Sequence, residues 1–168
     1  MSARDRARDL LSRLPEGKVI GAEIGVHRGD MSLKLLTRPD LYLLMVDNWK
    51  GSVNWPKGYR PQDMPDNKNK ATWQTEFAGE RRRIIYADSV AAAAVIDPGS
   101  LDFVFIDADH TYEAVSADIK AWRPKVRKGG LIGGHDYGKP GFPGVKIAVD
   151  EVFKEIERDR FSCWYARL

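Results

Sequence analysis

Short apolar segments alternate with segments of helical spacing along most of the chain, and this alternation constrains the fold more than any other feature. The apolar segments are residues 18–24, 42–46, 83–87, 101–106 and 130–134. The segments with helical spacing are residues 30–37, 70–79, 89–96, 112–126 and 144–156. Strands that alternate with helices join in parallel through right-handed crossovers. We therefore predict an α/β fold: a doubly wound, mostly parallel sheet with helices on both faces.

Three further segments complete the predicted architecture. Residues 3–14 have the apolar spacing of a short helix that covers one face of the sheet. Residues 161–168 are aromatic and partly alternating, which favours a C-terminal strand at the sheet edge. Residues 50–69 contain three prolines among polar residues and isolated aromatic residues, and we predict a lid loop there.

Composition limits the class of protein and its surroundings. A length of 168 residues, with 43% hydrophobic and 30% charged residues, predicts a single folded domain over residues 1–168. The longest apolar runs are far shorter than the roughly 20 residues of a membrane span. The net charge of +3 is not clustered, so we expect no nucleic-acid partner. A single cysteine and the lack of an apolar signal segment favour the cytoplasm.

The first apolar segment ends in a glycine turn, E-I-G-V-H-R-G, over residues 23–29. This differs from the dinucleotide fingerprint G-x-G-x-x-G, because His27 stands at the position of the second glycine. Glu23 would repel a pyrophosphate, whereas it could pair with an ammonium group. The alternative is that loop amides satisfy Glu23. Gly25 would let a ligand approach the backbone, and Gly29 would let the next helix pack closely.

Acidic residues also follow the second and third apolar segments. Asp47 stands 22 positions after Gly25, close to the spacing at which an acid binds ribose hydroxyls, and Asn48 or Trp49 would flank the sugar. Asp88 could accept a hydrogen bond from an adenine amino group. The alternative is that Asp88 or Ser89 only caps the following helix.

The fourth and fifth segments end in clusters of ionisable residues. Asp107, Asp109 and His110 follow the fourth, and His135 and Asp136 follow the fifth. Such clusters are candidate catalytic or metal sites, and carboxylates with an imidazole suit a hard or borderline divalent cation. The alternative is a hydrogen-bonded network without a metal.

Together these motifs resemble class I S-adenosylmethionine-dependent methyltransferases. The resemblance runs from about Val19 to the C-terminus, and it rests on E-I-G-V-x-x-G, A-D-S, L-D-F-V-F-I-D-A-D-H-T-Y and K-G-G-L-I-G-G-H-D-Y. The branch most similar is that of the macrocin and mycinamicin sugar O-methyltransferases. It implies a Rossmann-like fold and S-adenosylmethionine as cofactor. The resemblance places Glu23 and Gly25 at the methionine part of the cofactor, Asp47 at its ribose, and Asp88 and Ser89 at its adenine. The further residues that we predict at the cofactor are Val26, Asn48, Trp49 and Asp107.

The resemblance also implies catalytic and metal-binding roles. His110 matches the general base of the sugar methyltransferases, with Asp109 as the alternative base. Otherwise His110 would only begin the following helix and orient Asp107. In metal-dependent members magnesium is bound at the positions of Asp107, His135 and Asp136. His135 departs from the usual oxygen ligands there, which favours a transition metal or no metal.

The function predicted from the sequence is methyl transfer from S-adenosylmethionine to a hydroxyl of a small molecule. The acceptor pocket would come from residues 50–69, from residues 138–142, or from another subunit of a homo-oligomer. One alternative is a module that binds the cofactor without transferring its methyl group. A nicotinamide-dependent dehydrogenase is disfavoured by the broken glycine pattern and by Glu23.

Overall fold

The computed structural model describes residues 3–51, 60–159 and 162–168, and the apolar segments form one seven-stranded sheet within it. The strands are β1 (Val19–Ile24), β2 (Leu41–Asp47), β3 (Arg82–Tyr86), β4 (Leu101–Ile106), β5 (Val126–Gly134), β6 (Glu157–Arg158) and β7 (Trp164–Arg167). Their order in the sheet is β3-β2-β1-β4-β5-β7-β6. Strands β1 to β5 pair in parallel, whereas β7 is antiparallel to both β5 and β6.

Helices cover both faces of this sheet. They are α1 (Ala3–Arg13), α2 (Asp30–Leu35), α3 (Met64–Gln74), α4 (Ser89–Ala94), α5 (Tyr112–Trp122) and α6 (Pro143–Val152). Buried side chains of α1, α2 and α3 pack in one apolar cluster, and those of α4, α5 and α6 pack in another. Alternate residues of β4 enter opposite clusters: Phe103 and Phe105 the first, Val104 and Ile106 the second. The doubly wound α/β prediction is confirmed.

Helix α3 replaces part of the loop that the sequence predicted. It begins at Met64 and ends at Gln74, whereas a helix was expected over residues 70–79 and a lid over residues 50–69. The prolines of this segment led to the prediction of a loop, because proline breaks the interior of a helix. The first turn of a helix, however, tolerates proline. Pro61 opens a 3-10 turn and Pro65 lies in the first turn of α3. Residues 52–59 of the predicted lid lie outside the described part of the chain.

Two boundaries near the C-terminus also differ from the prediction. Helix α5 ends at Trp122, and a 3-10 turn that contains Pro124 leads into β5, which begins at Val126 rather than Gly130. The C-terminal strand β7 does join the sheet, but it lies between β5 and β6, so the two-residue β6 forms the edge. β6 is polar and short, and the sequence pattern did not indicate it.

Register brings the carboxyl ends of the central strands together. Ile24 of β1 is paired with both Val46 of β2 and Ile106 of β4, and Ile106 is paired with Gly134 of β5. The residues that follow these four strands therefore lie side by side at one edge of the sheet, where parallel α/β folds bind ligands. In the described ranges, no helix is long and apolar enough to cross a membrane.

Candidate functional site

Two cavities open at the carboxyl ends of these strands, and Gly25 and Asp107 line both of them. The first cavity has a volume of about 330 Å³ and the second about 350 Å³. Residues that line the first cavity include Asp47, Asn48, Asp88, Ser89, Asp109 and Asp118. Residues that line the second include Arg6, Glu23, His110, His135, Asp136 and Lys139. The predicted site residues thus divide between two adjoining spaces.

Gly25, which lines both cavities, packs closely against the backbone that follows β4. Its φ of +91° is in the region that favours glycine, and a Cβ there would lie 2.2 Å from the carbonyl oxygen of Asp107. Gly29 also has a positive φ, and a Cβ there would crowd Ala71 of α3. The turn after β1 therefore requires glycine at both positions that the sequence singled out, although Gly29 accommodates α3 rather than the sheet.

The carboxylate of Asp47 organises the backbone around the first cavity. One oxygen accepts a hydrogen bond from the backbone N–H of His27 and the other accepts one from Trp49, both at 2.7 Å. His27 and Trp49 both have positive φ, an uncommon conformation for residues other than glycine. The indole N–H of Trp49 also donates to the carbonyl of His27 at 2.7 Å. Asp47 thus holds two strained residues in place beside the cavity.

Glu23 is a buried acid on the wall of the second cavity, with only 3% of its surface exposed. Its described side-chain partner is the hydroxyl of Ser32 in α2, so the loop amides of the alternative interpretation do not satisfy it. Burial raises the pKa of Glu23 to about 8, and the charge of Asp107 adds to this effect. Ser32 was not predicted from the sequence. Val26, which was, lies buried in the same wall.

Asp88 lies at the open side of the first cavity and does not cap α4 with its side chain. Its carboxylate accepts a hydrogen bond from Asn48 at 2.7 Å and pairs with Lys50 at 3.2 Å. These partners lower the pKa of Asp88. Ser89 does not act as a simple cap either, because its hydroxyl accepts a hydrogen bond from the indole of Trp122 at 2.8 Å.

Asp118 is a site residue that the sequence analysis missed. It lies on α5, lines the first cavity and is 4% exposed. Ser89 forms a side-chain hydrogen bond with it, and burial raises the pKa of Asp118 to about 6. Its position among Val115, Ile119 and Trp122 on the buried face of α5 is a signal visible in the sequence. An acid at an apolar position of a helix indicates a special environment.

The second cavity contains a compact group of two carboxylates and two imidazoles. His110 lies 2.8 Å from Asp136 and 3.5 Å from Asp107. His135 lies 3.1 Å from Asp136 and 3.5 Å from Asp107. These pairs bring Asp107 and His110, which follow β4, together with His135 and Asp136, which follow β5. Asp109, which the sequence placed in the same group, lies in the first cavity. The ring of Phe142 packs on His110, with 4.4 Å between the ring centres.

Hydrogen bonding dominates the protonation of this group. Burial opposes charge on all four residues, but the mutual hydrogen bonds outweigh it. They lower the pKa of Asp107 to about 2 and also lower that of Asp136. They raise the pKa of His110 to about 9, and that of His135 rises as well. At neutral pH the free protein therefore presents His110 as an imidazolium.

Two further cations contact the same carboxylates. Arg6 of α1 pairs with Asp107 at 3.1 Å, and Lys139 pairs with Asp136. Arg6 lies inward because α1 packs beside α2 over the cavity, a contact that local spacing does not reveal.

The donor atoms of this cluster suit a divalent cation. Ligand atoms of Asp107, His110 and Asp136 lie within 4.8 Å of one another. This group contains the imidazole of His110, whereas the sequence predicted that of His135, which also lies close to both carboxylates. Two carboxylates and one imidazole form a donor set that transition metals accept more readily than magnesium.

The two candidate bases lie in different cavities. His110 lines the second cavity, beside the charged cluster. Asp109 lines the first, where its carboxylate accepts a hydrogen bond from the backbone of Thr111 at 2.8 Å and shapes the turn before α5. Lys139 and Phe142 also line the second cavity, so residues 138–142 contribute to it.

Comparison with known protein families shows the family to which the chain belongs. A model described as a methyltransferase domain matches residues 22–137, which is more than half of the sequence. The chain belongs to this methyltransferase family. Membership implies S-adenosylmethionine as the methyl donor. The matched range contains the carboxyl-terminal half of β1 and all of β2 to β5, and therefore the strand ends at which both cavities open.

Solved methyltransferases share the fold. CalS11, the TDP-rhamnose 3'-O-methyltransferase of calicheamicin biosynthesis, is 19% identical with a TM-score of 0.61, over 98% of this chain and 76% of that chain. The O-methyltransferase NovP is 20% identical with a TM-score of 0.63, over 98% and 77%. A putative S-adenosylmethionine-dependent methyltransferase from Methanococcus maripaludis is 13% identical with a TM-score of 0.69, over 97% and 83%.

One relative is similar in sequence. An uncharacterized protein of Acanthamoeba polyphaga mimivirus is 30% identical over 102 residues, which are 58% of this chain and 46% of that protein. The match therefore spans about half of the relative's length.

Proposed function

We propose that the protein transfers the sulfonium methyl group of S-adenosylmethionine to a hydroxyl oxygen of a small molecule. The observation that carries the proposal is the pair of cavities that share Gly25 and Asp107. One has groups suited to a nucleoside, and the other has groups suited to an amino acid and to proton transfer. A donor that spans the shared wall would present its methyl group to the charged cluster.

The donor's nucleoside would occupy the first cavity. Asp47 would accept hydrogen bonds from the ribose hydroxyls through the oxygen lone pairs that the backbone does not use. Asn48 would flank the sugar. Trp49, which the sequence also placed there, is buried outside both cavities and supports the backbone of His27 instead. Asp88 and Ser89 follow β3 at the end where the base would lie.

The donor's methionine part would enter the second cavity. Glu23 would pair with the ammonium group, and the backbone at Gly25 and Val26 would line its path. Glu23 is buried, and its described side-chain partner is the hydroxyl of Ser32. An ammonium group beside it would offset the free-energy cost of burying the charged carboxylate.

His110 would act as the general base that accepts the proton of the acceptor hydroxyl. Attack on the methyl group requires an acceptor oxygen in line with the sulfur, with its proton removed before or during transfer. His110 lies in the second cavity with Lys139 and Phe142, where an acceptor would meet the methyl group. Because His110 is an imidazolium in the free protein, it would first release that proton to solvent and then accept the proton of the acceptor hydroxyl, and Asp107 and Asp136 would stabilise the imidazolium that forms again. Asp109 is the alternative base, but it lines the other cavity.

As an alternative to base catalysis by His110, the cluster would hold a divalent cation through Asp107, His110 and Asp136. When bound, such a cation lowers the pKa of a coordinated hydroxyl. Arg6 and Lys139 contact the same carboxylates and compete with the cation for them.

Replacement of His110 tests the catalytic assignment. We expect His110→Asn to lower the turnover of methyl-labelled S-adenosylmethionine by roughly 10²- to 10⁴-fold, because general base catalysis is lost. Binding of S-adenosylhomocysteine should change little. A panel of sugars and phenols supplies the acceptors. An unchanged rate would exclude His110 as the base, and a wild type that binds the product yet methylates no acceptor would favour a binding module.

Manganese binding tests the metal prediction independently of turnover. We expect Mn²⁺ to bind the wild type and not Asp136→Ala, as followed by water-proton relaxation. Arg6→Met should strengthen the binding, because it frees an oxygen of Asp107. The metal prediction is wrong if Mn²⁺ does not bind the wild type, or if a chelator leaves methyl transfer fully active.

A further inference from the structure

Asp118 is a buried acid in the first cavity that no step of the proposed reaction uses. It is 4% exposed, and among the described residues no lysine, arginine or histidine forms an ion pair with it. Its neighbours on the cavity wall include the small residues Ala114 and Ala117. An acid in such surroundings is costly to bury unless a donor group compensates it. In the part of the chain that the structure describes, the donor that compensates Asp118 is the hydroxyl of Ser89, which leaves acceptor capacity on the carboxylate for a ligand in the cavity.

Two hydrogen bonds fix the orientation of Asp118. The indole N–H of Trp122 donates to the hydroxyl oxygen of Ser89 at 2.8 Å, and that hydroxyl hydrogen bonds with Asp118. A carboxylate only accepts hydrogen bonds, so Ser89 is the donor in this second bond. The remaining lone pairs of Asp118 are available to a ligand in the cavity.

Asp88 is less suited to discriminate between bases. Its side chain is 61% exposed, and Asn48 and Lys50 already bind its carboxylate. Hydrogen bonds at exposed charges contribute little free energy, because water competes for both partners. Bonds to a desolvated carboxylate contribute more.

We propose that Asp118, rather than Asp88, recognises the exocyclic amino group of the adenine in S-adenosylmethionine. This inference rests on the proposed function, since it assumes that the nucleoside occupies the first cavity. The amino group donates two hydrogen bonds, and Asp118 offers an acceptor that Ser89 and Trp122 hold in position. Hypoxanthine carries a carbonyl oxygen at the same place, which would face the carboxylate without a hydrogen bond.

Two product analogues test the inference by calorimetry. S-adenosylhomocysteine carries the amino group, and S-inosylhomocysteine carries the carbonyl oxygen instead. We expect the wild type to prefer the adenosyl compound by at least about tenfold. In Asp118→Asn that ratio should fall to within about threefold, because the amide can donate to the carbonyl oxygen. Asp88→Asn is the matched control and should keep the wild-type ratio.

The outcomes separate this inference from the proposed function. If the wild type binds neither compound, the proposed function fails. If the wild type binds both equally, or if Asp88→Asn removes the preference while Asp118→Asn keeps it, the inference about Asp118 fails alone. A purely structural role of Asp118 would weaken binding of both compounds and leave the ratio unchanged. Ser89→Ala provides a second variant, and it should reduce the ratio because it removes the hydroxyl that orients Asp118.

Discussion

At Glu23, burial keeps a carboxyl group protonated at neutral pH in the free protein. The pKa of about 8 lies well above the ordinary value, and the nearby charge of Asp107 acts in the same direction. Pairing with the ammonium group of the methyl donor would favour the charged carboxylate and lower this pKa. Binding of the donor should therefore release a proton at pH 7.

Calorimetry of S-adenosylhomocysteine binding in buffers of different ionisation enthalpy measures this proton. We expect close to one proton to be released at pH 7. The affinity should rise about tenfold per pH unit between pH 6 and 8 and level off above 8, where Glu23 is already ionised. Glu23→Gln should lose both effects, whereas Glu113→Gln, at an exposed acid of α5, should keep them. Binding of equal strength across this pH range would contradict the assignment of Glu23.

The same residues show what the sequence could predict. Asp47 is the last residue of β2, and Asp88, Asp107 and Asp136 come directly after other strands, so strand prediction alone places all four at one edge of the sheet. The residues that were missed reach the site from helices. Ser32 and Arg6 reach the site through the packing of α2 and α1, which the local sequence pattern does not reveal. Asp118 does leave a signal, because it is an acid on the apolar face of α5.

At the scale of elements, proline caused the largest error. Residues 61–69 were predicted as a loop because proline was counted as a breaker, yet Pro61 and Pro65 lie in first turns where their missing N–H has no partner to lose. This difference also concerns the candidate site, because residues of α3 contact it. Met64 of α3 lines the first cavity, and Asn67 contacts the imidazole of His27 at 3.1 Å.

The partly alternating apolar residues near the C-terminus predicted a strand in the sheet, and β7 is that strand. Its side chains are buried on both faces of the sheet. Trp164 and Ala166 enter one apolar cluster, whereas Cys163 and Tyr165 enter the other. Trp164 also packs on Phe153, with ring centres 5.5 Å apart. This strand links the two faces of the fold.

Truncation of Trp164 tests the contribution of β7 to stability. We expect Trp164→Ala to lower the free energy of unfolding by about 3–5 kcal/mol, because it removes a buried aromatic ring and leaves a cavity. The matched control is Trp73→Ala, since Trp73 is 74% exposed on α3 and should cost little. Denaturant unfolding gives both values. Equal losses in the two variants would show that β7 is not part of the core.

At the scale of the whole molecule, the site joins elements that are distant in sequence. The two cavities are lined by residues from α1 and from the ends of β1, β2, β4 and β5. A ligand that bridges the cavities binds only when these elements are assembled. Its binding free energy therefore adds to the free energy of unfolding.

Thermal unfolding in the presence of cofactors tests the central claim most directly. At a free concentration one hundred times its Kd, S-adenosylhomocysteine should stabilise the protein by about 2.7 kcal/mol. For a chain of this length, that corresponds to a rise in Tm of about 5–10 °C. NAD⁺ should leave the Tm unchanged, because His27 stands at the position of the second glycine of the dinucleotide fingerprint in the turn after β1. A clear rise with NAD⁺, together with no rise for S-adenosylhomocysteine or S-adenosylmethionine, would contradict the account.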